Sequence, residues 1–142
     1  MIHLEFKLAL NPLDESQAYL LSYYREIRDM SREDLSAATG IPAGEIQNYE
    51  CKKQELYYEQ AKRFADVLNI DVSLLLDEYT MFTAPGYGKR IKEIRAKTGL
   101  PQADFAELIG SRRHTVSIWE IEYHRPSRKN YAALMAVAGG TP

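Results

Sequence analysis

A shift of 70 residues lays the first half of the chain on the second without a gap. Arg25 falls on Arg95, Asp34 on Asp104, Gly40 on Gly110, Glu50 on Glu120 and Val67 on Val137. Conservative apolar pairs fill the intervals: Leu21 with Ile91, Met30 with Leu100, Leu35 with Phe105, Ile46 with Val116, and Tyr49 with Trp119. Glycine, apolar and Arg/Glu positions keep register together, so whatever one half folds into, the other folds into as well.

The elements are helical for the most part. Asp14, with Gln17 three residues on, caps a helix expected to reach about Asp29. Ser31-Arg-Glu-Asp34 starts a second that Gly40 breaks, and Pro42 suits the first turn of a third ending near Glu50. Ala61, Phe64, Ala65 and Leu68 have helical spacing within Glu59–Leu68. Asp71 caps a short apolar helix with Val72, Leu74, Leu75 and Leu76. Thr83–Gly88 reads as a linker. The exception is residues 2–10, where Ile2, Leu4, Phe6, Leu8 and Leu10 alternate with polar positions or Ala9, as in a strand with one buried face. Such a strand needs a partner. The β-prone Tyr79–Thr83 and the same strand of a second molecule are the two options.

Composition excludes more than it selects. With 45% hydrophobic and 27% charged residues the chain has the make-up of a core-forming protein. It lacks the ~20 consecutive apolar residues of a membrane span, and Glu5 and Lys7 interrupt the N-terminus too early for a signal peptide. The single cysteine, Cys51, rules out an internal disulfide and suits a reducing cytoplasm. His3, His114 and His124 are scattered without metal-ligand spacing. No phosphate loop, dinucleotide glycine pattern or nucleophile elbow appears, so neither cofactor, metal nor enzymatic activity is expected. The net charge of −2 conceals a division. Residues 1–82 carry eight Lys/Arg against fifteen Asp/Glu, whereas residues 83–142 carry ten against five. One half is suited to a polyanion and the other is not.

The motifs of the second half are Ile94-Arg95, Gln102-Ala-Asp-Phe105-Ala106, Gly110, Val116-Ser117-Ile118-Trp119-Glu120 and Arg125-Pro126-Ser127. The first half has Tyr24-Arg25, Ser31-Arg-Glu-Asp-Leu35-Ser36, Gly40-Ile41 and Ile46-Gln-Asn-Tyr49-Glu50. Together they resemble the phage-repressor-like (Cro/repressor, or XRE) helix-turn-helix family over roughly residues 16–79 and 86–139. The fold this implies is all-α, as two tandem lambda-repressor-like helix-turn-helix domains at residues 1–83 and 84–142, with a short N-terminal β-strand. Physical reasoning about the residues agrees. Helix two must end abruptly, and Gly40 and Gly110 tolerate the positive φ of such a turn. Ile46 with Tyr49, and Val116 with Trp119, point one face of helix three inward, leaving the opposite face for a major groove. Arg25 with Glu50, and Arg95 with Glu120, resemble the family's buried pairs bracing helix one against helix three.

The resemblance places base reading on Arg113, His114 and Ser117, flanked by Arg112 and Thr115. It gives Gln102 a backbone contact that supports them. Arg125, Arg128 and Lys129 follow as phosphate contacts, with Ser127 capping the next helix. The charges are expected to cluster on these groove-facing elements. The matching places in the first half hold Ala43, Gly44 and Gln47, with Asn48 beside them. Arg32 stands where the glutamine would be, and Lys52 and Lys53 follow, a surface suited to weak contact and poor readout. The first half also keeps a fifth helix, which the second lacks. Leu74–Leu76 and Tyr79, with the N-terminal strand, make residues 1–10 and 71–82 the expected homodimer contact. Tyr57 and Tyr58 are read as packing. The implied function is a cytoplasmic, sequence-specific regulator of transcription, a repressor bound to double-stranded DNA. The alternative is an antitoxin or mobile-element anti-defence protein whose first domain binds a protein partner.

Overall fold

The computed structural model describes residues 17–140, and every regular element among them is helical. The strand expected over residues 2–10 and the Asp14 cap lie outside the described residues. The chain divides into two compact units, Met1–Met81 and Phe82–Pro142. The first contains α1 (Leu20–Ile27), α2 (Arg32–Thr39), α3 (Ala43–Glu50), α4 (Tyr58–Leu68), a 3-10 turn (Val72–Leu75) and α5 (Glu78–Phe82), whose last residue falls in the second unit. The second contains α6 (Tyr87–Thr98), α7 (Gln102–Leu108), α8 (Arg113–Glu120) and α9 (Arg128–Gly140).

Local chemistry sets the boundaries. The Ser31 hydroxyl accepts from the Asp34 N–H, and the Asp34 carboxylate accepts from the Ser31 N–H, both at 3.0 Å. This reciprocal cap opens α2 and holds the Asp34 carboxyl below its ordinary range. Gly40 closes α2 at φ 80°, and Gly110 takes φ 74° at the matching place. Asp71 caps the 3-10 turn by accepting from the Ser73 N–H at 2.8 Å.

Each unit buries its own core. Leu21, Leu35, Ile46, Tyr49 and Phe64 fill the first. Ile91, Phe105, Val116, Trp119 and Leu134 fill the second, each 70 residues later. Full burial of one such side chain contributes about 1.5–3 kcal/mol, so the inward faces of these short helices dominate their stability. The starts of α2 and α7, of α3 and α8, and of α4 and α9 keep the same offset.

Three expectations change. Tyr79–Thr83 is largely within α5 and is not a strand, because Tyr79 is buried with its ring edge against Tyr57. Leu75, Leu76 and Tyr79 are buried, which removes them from the dimer contact expected over residues 71–82; of that apolar run only Leu74 is exposed. The linker is shorter and less free than composition suggests. Thr83 and Ala84 are buried, α6 already begins at Tyr87, and the Arg90 guanidinium donates to the carbonyls of Phe82, Ala84 and Pro85 at 2.8, 2.9 and 3.3 Å.

The first helices of the units differ in length. Gly88 brings α6 so close to the end of α8 that a Cβ there would lie 2.3 Å from the Glu120 carbonyl oxygen. Glu122 then accepts from the N–H groups of Gly86 and Gly88 at 3.1 and 3.0 Å. The first unit has Ala18 and Lys52 at these two places, and α1 starts only at Leu20. Gly88→Ala is expected to cost the second unit about 1–3 kcal/mol or more through overpacking, read from Trp119 fluorescence during unfolding. Gly44→Ala, inside α3 with no atom within 4 Å of the added methyl, is expected to stabilise the first unit. The gain should be about 0.5–1 kcal/mol from helix propensity, measured by circular dichroism.

Candidate nucleic-acid interface

Any surface on α3 or α8 is only as defined as the inner face that anchors the helix. In α8 that face is Val116, Trp119 and Glu120, all buried. Arg95 on α6 donates to the Glu120 carboxylate through Nε at 2.8 Å and Nη2 at 3.2 Å. Its remaining Nη1 donates to the Leu100 carbonyl at 3.2 Å. Gln102, at the start of α7, donates to Glu120 Oε1 at 2.9 Å. One carboxylate therefore ties three helices together.

The first unit repeats the device with more charge. Glu50 Oε2 accepts from Arg25 Nε at 2.9 Å, and Oε1 accepts from Arg25 Nη2 at 3.2 Å and Arg32 Nε at 2.9 Å. The Glu50 side chain is 2% exposed, and its bonds hold the Arg25 guanidinium above its ordinary pKa. Tyr49 donates its hydroxyl to Glu45 on the same helix, and burial followed by that bond pushes the phenol well upward.

Gln102 and Arg32 are thus placed differently from a simple outward-facing backbone contact. Their donors go to Glu120 and Glu50, and the Arg32 side chain remains 38% exposed. The outer face of α8 is otherwise as the sequence places it. The Arg112, Arg113 and His114 side chains are exposed at the start of α8, with no hydrogen-bond or ion-pair partner among the described residues, and Thr115 and Ser117 are half-buried beside them. The Ser127 hydroxyl accepts from the Asn130 N–H at 3.1 Å and caps α9. Lys129 is exposed, whereas Arg125 and Arg128 are half-buried and already engaged.

In the first unit Gly44 and Gln47 are exposed and Ala43 and Asn48 half-buried on α3. Lys52 rests over the Tyr19 ring at 4.7 Å, and Lys53 is exposed. The cations of the second unit are also spread more widely than expected. Lys89, Lys92 and Lys97 are exposed on α6. Sequence reasoning missed the turn that follows α8. Ile121 and Tyr123 are exposed there, and Glu122 between them takes φ 62°, as Lys52 takes φ 60° in the first unit. The signal was present in the register, where Cys51 and Lys53 become Ile121 and Tyr123.

Among the described residues no group of three or more His, Cys, Asp or Glu is arranged to hold a metal ion, and no helix is long and apolar enough to cross a membrane. No protein-family profile, curated protein or solved structure matches the chain.

Removing one partner of a buried ion pair strands the other. Glu50→Gln leaves two arginines facing a neutral amide, and Arg25 is 9% exposed, so a loss of about 3–5 kcal/mol in the first unit is expected. Glu120→Gln leaves only Arg95, which is 24% exposed, and the loss should be smaller. Denaturant unfolding of both variants checks the order, with Trp119 fluorescence reporting on the second unit.

Proposed function

We propose that the chain is a sequence-specific, double-stranded DNA-binding regulator of transcription, a repressor built from two tandem helix-turn-helix domains of the phage-repressor-like kind. In this reading α8 enters the major groove and the first unit supplies weaker contacts. The observation that carries it is the two-sided character of α8. Its inner face is fixed by Trp119, Val116 and the Glu120 brace, while Arg112, Arg113 and His114 stand exposed and uncommitted at its first turn. A helix held rigidly by its back, with guanidinium groups at its leading end, meets the geometric requirement for reading base edges. Arg113 is the residue suited to bidentate bonding with guanine O6 and N7. Ser117, one turn on, adds a shorter donor and acceptor. Lys129 and the capped start of α9 suit phosphate oxygens.

The first unit supports a lesser role. Gly44 and Ala43 offer no polar side-chain atom, leaving Gln47 and Asn48 as amides and Arg32, Lys52 and Lys53 as cations. Arg32 is already committed through Nε to Glu50, and Lys52 to the Tyr19 ring.

Selection of bound sequences from random duplexes at two salt concentrations tests the proposal. An enriched site at both concentrations supports specific readout, and uniform binding that collapses with salt would leave only the electrostatic contribution. Absence of binding would move the function to a protein partner of the acidic first unit, as in an antitoxin. On the selected site, Arg113→Ala is expected to cost about 1–3 kcal/mol and to relax preference at one base position. Changes at Gln47 or Asn48 should cost less, and a larger loss there would reverse the roles of the two units.

A further inference from the structure

Cations alone do not make the first unit the poorer surface, since Lys53 is exposed and the Arg32 side chain is 38% exposed. What differs is the head of α3. Glu45 is half-buried in the first turn of that helix, where the register puts Thr115 on α8. Its carboxylate accepts from the hydroxyl of Tyr49, one turn further on. Tyr49 is itself buried, in a T-shaped pair with Phe64 whose centroids are 5.9 Å apart. An exposed glutamate has rotamer freedom and swings away from an approaching anion. Glu45 lacks that freedom, because its partner is fixed in the core.

The register separates the units at both members of this pair. Trp119 stands for Tyr49 without a hydroxyl, and Thr115 stands for Glu45 without a charge. Glu59, exposed in the first turn of α4, stands where α9 has Lys129. These two places border the reading surface in the second unit, and both hold carboxylates in the first.

Resting on the reading of α8 given above, we infer that Glu45, held by Tyr49 and aided by Glu59, is the specificity-determining residue of the first unit. It repels the phosphates beside the groove, limits α3 to weak contact and leaves the duplex to α8. Discrimination of this kind comes from a repulsive element as readily as from an attractive one. The other use of a carboxylate in a major groove is to accept from the cytosine amine. Ala43 and Gly44, at the places of Arg113 and His114, supply no side-chain donor to hold α3 against the duplex meanwhile. Repulsion therefore outweighs readout. One unit charge about 4 Å from a phosphate changes affinity roughly fivefold in water, and dilute salt preserves the effect.

The test uses the full chain with Arg112→Ala and Arg113→Ala, which silence α8, titrated with random-sequence duplex at two low salt concentrations. In this background Glu45→Gln removes the charge and keeps an acceptor for the Tyr49 hydroxyl. Affinity is expected to rise roughly three- to tenfold. Glu45→Thr, which supplies the second unit's residue, should do the same. Glu59→Lys is expected to raise affinity and to steepen the slope of log affinity against log salt by about 0.9, for one added phosphate contact. Glu78→Gln removes the same charge from α5 and should change affinity by less than about twofold. Circular dichroism melts check that each variant folds. An unchanged or lower affinity in the Glu45 variants overturns the inference, and so does an equal rise with Glu78→Gln. Glu59→Lys without a rise strikes Glu59 from it. Selection of bound duplexes by the chain with α8 intact tests the other reading separately. A selected site that depends on Arg113, with no gain at Glu45, would leave the reading of α8 standing without this inference. A gain at Glu45 without any selected site would do the reverse.

Discussion

The Glu50 and Glu120 carboxylates are the points on which each unit turns. Both are nearly inaccessible to water, and each accepts from an arginine on the first helix and from a second side chain at the start of the next. Burying a carboxylate is costly by itself, and the cost is offset only where the geometry is bidentate and the remaining lone pairs are occupied. That requirement fixes the distance and crossing of three helices at once. Packing of Ile46 with Tyr49, or of Val116 with Trp119, tolerates rotation more readily than a fork of hydrogen bonds does. The ion pair thus defines which face of α3 or α8 is turned outward, and the apolar core supplies most of the stability.

From this common frame the units diverge through a few substitutions. Gly88 allows the Glu120 carbonyl to approach where Ala18 would obstruct it, and Glu122 accepts N–H groups that Lys52 is unable to satisfy. The outcome is a first helix that begins at Tyr87 in one unit and at Leu20, three register positions later, in the other. A carboxylate at a helix start is favoured by the macrodipole. This helps to hold Glu122 at φ 62°, which costs a non-glycine residue roughly 1–2 kcal/mol. The same closure leaves Ile121 and Tyr123 facing water, so the exposure of the turn follows from how α6 is capped.

Much of this was legible in the sequence because it is local. Ser31 with Asp34, Gly40, Gly110, Asp71 and Ser127 act within four residues of themselves, and all take the roles their spacing announces. The 70-residue register carried the core, since Leu21, Leu35, Ile46 and their counterparts keep both type and position. What required distance was not legible. A short apolar run such as Leu74–Leu76 does not say which side chains point inward, and two of its three are buried. The β-propensity of Tyr79–Thr83 was overridden by burial of Tyr79 beside Tyr57, a partner 22 residues away. Gln102 and Arg32 look like free surface groups until Glu120 and Glu50, 18 residues on, are brought to within 2.9 Å.

The charge on the proposed reading surface follows from the same bookkeeping of partners. A chain with a net charge of −2 is an unpromising ligand for a polyanion only if the charge acts as a whole. At physiological salt, fields between exposed charges fade over about 8 Å, so a phosphate responds to the groups beside it. In the second unit Arg95 neutralises Glu120, and the Glu122 carboxylate faces the first N–H groups of α6. The anions nearest α8 in sequence are therefore spent on holding the helix in place, while Arg112 and Arg113 remain uncommitted among the described residues. In the first unit the second arginine at the brace is partly consumed by Glu50, and Glu45 stands on α3 itself. The difference between the two outer faces is therefore greater than the count of charges suggests, because one unit retires its acids internally and the other retires a base.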